Sequence, residues 1–229
     1  MPYVLHLDDR LLVIDKPSGL SLATPRSNPD GAVTRLLDLL DVEQRADLGP
    51  PPRLVHRLDV GTSGVVVLTR TPASHRQLIG LFQSRRVEKV YWALAWGRPK
   101  PSSGTLDAAL GPDRKDRRKM RVDPAGSPAR THYRVLGVGG SVSWLELRPE
   151  TGRTHQIRVH LAAIGHPIVG DDLYGGPRHH GIRAPELRRA LSPEWTLLHA
   201  RALAFEDQRF EAPLPAPFTR ALKAAGITE

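Results

Sequence analysis

The chain has 229 residues, 40% hydrophobic and 25% charged, which supplies a sizeable core and excludes general disorder. It contains no cysteine, so disulfides and thiolate metal sites are ruled out. Lys and Arg outnumber Asp and Glu 33 to 24, a formal charge of +9; nucleic acid is the natural partner, and a basic protein that binds none is the alternative.

In chain order, Leu11-Leu12-Val13-Ile14 is a short apolar run that Pro17 stops, which predicts a strand. Helical spacing covers residues 33–40, and Gly49-Pro50-Pro51-Pro52 reads as a loop. Residues 65–69 predict a strand buried on both faces, and 75–85 a helix. Residues 89–96 alternate: Val90, Trp92, Leu94 and Trp96 share one face, and Tyr91, Ala93 and Ala95 share the other. A loop is expected over 111–126, strands over 131–136 and 141–148, and a helix over 154–164. A second loop over 175–185, a strand over 197–205 and a helix over 217–225 complete the chain. Strands come in runs with helices between them, without strict alternation. That order predicts an α+β fold on a mixed, largely antiparallel sheet, with residues 1–229 as a single domain.

Four groups of residues could carry chemistry. His56-Arg57-Leu58-Asp59 precedes a Gly61-Thr62-Ser63-Gly64 turn and the buried strand, so its charges stand at a strand entrance, where a scaffold can fix a site. The alternative is a surface ion pair of Arg57 with Asp59. In the segment from Thr151 to His160, Ile157, Leu161 and Ile164 form one buried helix face. Arg158 lies beside that stripe, and Arg153 falls near the helix start, where a cation beside free N–H groups suits a phosphate. An amphipathic helix with a solvated basic side is the competing reading.

Tyr91 has only Ala93 and Ala95 near it on its face, which leaves room beside the phenol for a flat base, or else for a helix that needs small neighbours. Arg114, Lys115, Arg117, Arg118, Lys119 and Arg121 crowd the 111–126 loop and could track a phosphate backbone, unless they are simply solvated. Aromatic residues are 5% of the chain, too few for a broad base-stacking platform. There is no phosphate loop, dinucleotide fingerprint or H-E-x-x-H motif. His155 and His160 are five positions apart, which splays them round a helix, and no metal site is expected. No stretch approaches the ~18 apolar residues of a membrane span, and the N-terminus has no signal-peptide pattern, so a cytoplasmic, membrane-free protein is expected.

Together these segments resemble the RluA family of pseudouridine synthases. Val13 to Leu20 is similar to its Lys-Pro-x-Gly opening, and His56-Arg57-Leu58-Asp59 with Thr62-Ser63-Gly64 to its catalytic signature. Lys89-Val90-Tyr91 is similar to its Lys-x-Tyr strand, Thr151 to Asp171 to its last long motif, and Leu198-His199-Ala200 to a further short element. All five occur in the family's order. The stretch around Pro25 lacks the His often seen after the opening motif.

The resemblance implies a central sheet in two halves with a basic cleft between them, and isomerisation of uridine to pseudouridine in structured RNA, tRNA or rRNA. It implies Asp59 as catalytic carboxylate, Tyr91 as the active-site Tyr near the base, Arg158 as partner of Asp59, and Arg57 entering the RNA near the displaced nucleotide. The reaction exchanges an N1–C1′ bond for C5–C1′ without redox change, so no cofactor is expected. An N-terminal S4 RNA-binding domain is not expected, since the opening motif begins near residue 16, and a monomer is expected. A non-catalytic RNA-binding or ribosome-assembly protein and a hydrolytic N-glycosidase are the alternatives.

Overall fold

The structure is a computed structural model that describes residues 3–23, 30–46 and 48–228; Pro25 lies outside the described residues. From the N-terminus, β1 (Val4–Leu7) and β2 (Leu11–Lys16) are followed by α1 (Gly31–Leu37) and α2 (Val42–Ala46). Next come β3 (Arg53–Leu54), β4 (Ser63–Thr69), α3 (Pro72–Gln83) and β5 (Glu88–Trp96). β6 (Ser103–Asp107), β7 (Leu110–Pro112), β8 (Met120–Val122), β9 (Arg130–Gly139) and β10 (Val142–Pro149) precede α4 (Gln156–Ala163). The chain closes with α5 (Pro185–Ala190), β11 (Leu198–Phe205), β12 (Gln208–Glu211) and α6 (Ala216–Ala224). The fold is α+β on a mixed, largely antiparallel sheet. It divides into two compact units, one of residues 1–88 and 200–213, the other of 89–199 and 214–229.

In the first unit the strand order is β1-β2-β4-β11, with β3 on β4 and β12 on β11. Every residue of β4 is buried, as its unbroken apolar run predicts. Leu11, Val13, Val65, Val67, Leu203 and Phe205 meet Leu78 and Leu81 of α3 in one core cluster. α3 starts at Pro72, earlier than its apolar spacing suggests. A capping box sets that start: Ser74 N–H donates to the Thr71 hydroxyl at 3.1 Å and Thr71 N–H to the Ser74 hydroxyl at 3.3 Å. Gly64, at φ +110°, is required sterically, because a Cβ there would stand 2.2 Å from the Ala200 carbonyl oxygen.

In the second unit β5, β10, β9 and β6 pair in that order, all antiparallel. The alternation of β5 separates two cores. Leu94 and Trp96 pack with Val142, Trp144 and, from α6, Phe218, Ala221 and Leu222. Ala93 and Ala95 pack on the other face with Leu145, Leu147 and, from α4, Ile157 and Leu161. Each fully buried side chain of this size contributes about 1.5–3 kcal/mol of transfer free energy. Trp92 and Trp144 meet edge to face at 4.9 Å.

The segment expected as one loop over 111–126 contains structure: β7 and β8 form a separate antiparallel hairpin, with Pro112 opposite Met120. Among the described residues no helix is long and apolar enough to cross a membrane.

Candidate active site and basic hairpin

Asp59 belongs to the first unit, at the end of an irregular stretch between β3 and β4. Its turn is closed by Thr62 N–H donating to the Asp59 carbonyl at 3.1 Å. The base of that turn is Lys16, the last residue of β2. Its side chain is fully buried, and Nζ donates to the carbonyls of Pro17 (2.9 Å), Leu20 (3.0 Å) and Val60 (3.3 Å). Gly19 N–H reaches the same Val60 carbonyl at 2.8 Å. One ammonium thus ties the opening motif to the residue after Asp59.

Burial pushes the Lys16 ammonium down to about 8, and the negative charges of Asp59 and then Asp15 oppose that shift. It remains protonated at neutral pH, a cation within electrostatic reach of Asp59. Burial also raises Asp15 to about 6, against the attraction of Lys16. His56 is fixed as well: its Nε2 accepts the Val67 N–H at 2.9 Å, and its ring stacks on Phe82 at 5.1 Å. Arg57 between them is exposed and Asp59 half-buried.

Tyr91, Arg153, Arg158 and the basic hairpin belong to the second unit. Tyr91 is half-buried on β5, at the margin of the cluster that α4 closes. The small Ala93 and Ala95 beside it serve that packing, because Ile157 and Leu161 share their cluster. Lys89, two residues before Tyr91, donates from Nζ to the Thr151 carbonyl at 3.1 Å, which ties this strand to the segment that leads into α4.

That segment is organised by buried Gln156. Its Oε1 accepts from the Thr151 hydroxyl (2.6 Å) and Arg153 N–H (3.1 Å), and its Nε2 donates to the Arg130 carbonyl and the Thr131 hydroxyl, both at 2.9 Å. Arg153 is exposed and precedes the helix, with its Nε donating to the Pro128 carbonyl at 3.2 Å. His160 is buried between the Thr131 hydroxyl (3.1 Å) and the Ala108 carbonyl (3.0 Å), and desolvation lowers its pKa.

Arg158 engages an acid that had no assigned role. Its Nε and Nη2 donate to the two carboxylate oxygens of Asp171 at 2.7 and 2.8 Å, in a pair whose side chains are 11% and 1% exposed. Such a fork fixes the plane of the guanidinium, which carries three further N–H donors. The Tyr174 ring lies under it, 5.0 Å from Cζ to the ring centroid. Asp171 ends the Thr151 to Asp171 motif, and a nearly buried Arg requires an acid close by. Tyr174 carried no such signal.

The hairpin turn carries Arg114, Lys115, Arg117, Arg118 and Lys119, with Arg121 on β8. Its charge is more balanced than a count of cations suggests, because Asp113, Asp116 and Asp123 are interleaved. Arg118 pairs with Asp116 through Nε (3.0 Å) and Nη2 (2.8 Å) and holds that carboxyl down to about 2. Arg121 pairs with Asp123 at 2.7 Å. Asp113 accepts the Lys115 and Asp116 N–H groups at 2.7 and 3.0 Å, which shapes the turn. Arg114, Lys115 and Arg117 are exposed.

Residues 10–163 match the profile described as RNA pseudouridylate synthase. The chain belongs to that family. It is 43% identical over 202 residues to an uncharacterized RNA pseudouridine synthase of Chloroflexus aurantiacus, covering 88% of this chain and 62% of that protein. It is 39% identical over 221 residues to the dual-specificity RNA pseudouridine synthase RluA of Escherichia coli, covering 92% of each. Among solved structures, the human RNA pseudouridylate synthase domain containing 4 is similar, with a TM-score of 0.77 and 30% identity across 99% of this chain and 94% of that one.

Proposed function

We propose that this chain isomerises uridine to pseudouridine in structured RNA, with Asp59 as the catalytic carboxylate and Tyr91 and Arg158 completing the catalytic set. The observation that carries the reading is the Asp59 turn. It is half-buried, built on the Lys16 ammonium and held by backbone bonds, which keeps a carboxylate at a fixed position beside a buried cation.

The reaction breaks N1–C1′, turns the uracil and joins C5 to C1′. The proton lost from C5 is balanced by the one gained at N1, so nothing external is consumed. Asp59 acts on the ribose, as carboxylates do where an anomeric carbon becomes electron-deficient. Tyr91 packs beside the base. Arg158, planar and permanently charged, supplies the fixed cation. Reaching C1′ requires the nucleotide to leave its stack at a cost of a few kcal/mol, which favours uridines in loops, and exposed Arg57 fills or braces the vacated place.

Arg153, Arg114, Lys115, Arg117, Arg118, Lys119 and Arg121 make up the RNA-binding set. The substrate is tRNA or rRNA; similarity to a ribosomal large subunit pseudouridine synthase of Pseudomonas aeruginosa supports the second of these.

Asp59→Asn is expected to abolish product while RNA binding persists. Product is read as a carbodiimide adduct that stops primer extension. Substantial turnover by the variant would remove Asp59 from its role, and free uracil released by the parent enzyme would indicate hydrolysis instead.

A further inference from the structure

The hairpin is too small to hold its own position, since two three-residue strands form a marginal unit. It is docked by Leu110, which packs with Ala129 and Val159 of α4, and by Met120 and Tyr174 at the margin of that cluster. Met120 faces Pro112 across the hairpin, and its N–H goes to Tyr174 Oη at 2.8 Å instead of into the ladder.

The same hydroxyl shares a 2.7 Å hydrogen bond with His155 Nδ1. His155 stands immediately before α4 at φ +55°, a left-handed conformation that is uncommon for a residue with a Cβ and needs support from its surroundings. The Tyr174 ring lies under the Arg158 guanidinium, and its backbone N–H donates at 3.3 Å to the Asp171 oxygen that also binds Arg158 Nη2.

We propose that Tyr174 is a positioning residue that couples RNA held by the basic hairpin to the placement of Arg158. The inference rests on the reading that the hairpin binds RNA and that Arg158 serves catalysis. The physical link is short. Phosphates bound at Arg114, Lys115 and Arg117 fix the hairpin, Met120 N–H then fixes the phenol, and the phenol ring and Asp171 together fix the guanidinium. Without bound RNA the hairpin that holds the phenol is itself held only by its small apolar cluster, so the same contacts set Arg158 less firmly.

A double-mutant cycle tests this with Tyr174→Phe, which keeps the ring and deletes the hydroxyl, and the paired change Arg114→Ala with Arg117→Ala. Affinity for a uridine-containing stem-loop RNA and single-turnover rate at saturating RNA are measured separately, with circular dichroism confirming the fold. In the parent, loss of the hairpin charges should weaken binding and also lower the saturating rate by about tenfold or more. In the Tyr174→Phe background it should weaken binding alone, because the saturating rate is already reduced. Hydrogen exchange at the Met120 amide should slow on RNA binding in the parent and much less in the variant.

A saturating rate untouched by the hairpin charges, or reduced by the same factor in both backgrounds, would overturn the coupling. Arg158→Lys, run in parallel, separates the two levels of argument. Full activity there defeats the assigned role of Arg158, whereas impaired activity with an additive cycle defeats only Tyr174.

Discussion

Lys16 and Asp15 are neighbours on one strand, and burial acts on them in opposite directions. For Lys16 the charged form survives at neutral pH, because three carbonyls and two carboxylates partly replace the water it lost. For Asp15 burial disfavours the charged form and raises the pKa to about 6, which still leaves the carboxylate mostly ionised at neutral pH. A raised carboxyl pKa means that the folded chain holds more protons than the unfolded one between pH 4 and 6, so the Asp15 contribution to stability falls as pH rises through that window. Asp15→Asn should therefore stabilise the protein at pH 7, by about 1–2 kcal/mol once solvent screening at this partly exposed site is discounted, and the gain should vanish below about pH 4. Urea unfolding at the two pH values checks it; an equal gain at both would place the effect elsewhere.

Motif resemblance offers Asp59, Tyr91 and Arg158 as the proposed catalytic set, but it does not display the groups that hold them. Local sequence offers Arg57 as the neighbour of Asp59, whereas Lys16, a buried cation at the end of β2, also lies within electrostatic reach of it. Arg158 likewise binds Asp171, which lies beyond the end of its helix. Such partners are set by tertiary packing, and sequence spacing does not display them.

At the level of elements, strongly patterned segments were legible. β4 and β5 carry enough apolar or alternating residues to identify themselves, and their buried faces follow the pattern. The short strands were not: β1, β3, β6, β7, β8 and β12 have two to five residues each, and most hold polar side chains at the surface. The β7–β8 hairpin was hidden by its charges, which read as loop. Helix boundaries shifted where capping overrode spacing, as at Thr71.

A tight steric constraint lies in β4. Gly64→Ala drives a methyl into the Ala200 carbonyl at a positive φ, and neither backbone can yield without loss of strand pairing. A destabilisation of about 3 kcal/mol or more is expected from the denaturation midpoint. A near-parental midpoint would mean that the two strands can separate locally at little cost.

For the whole molecule, a formal charge of +9 predicts RNA affinity that falls steeply with salt. Each phosphate contact adds about 0.7–0.9 to the slope of log affinity against log salt. Replacing Arg114 and Arg117 with Ala should then reduce that slope by about 1.5. A flat salt response in the parent would contradict phosphate-dominated binding. The exposed cations support this reading more directly than net charge does, since Arg118 and Arg121 are already occupied by acids.

The path of β11 has a consequence for biosynthesis. The first unit contains residues 1–88 but takes its β11 and β12 pairings from residues 200–213. A nascent chain emerging from the ribosome therefore exposes most of that unit long before the strand that lies beside β4 is made. Until then β4, with its buried Val65-Val66-Val67-Leu68 run, lacks β11 as a partner along one edge. Growing chains stalled within the second unit should be the species most prone to associate with one another or to engage chaperones.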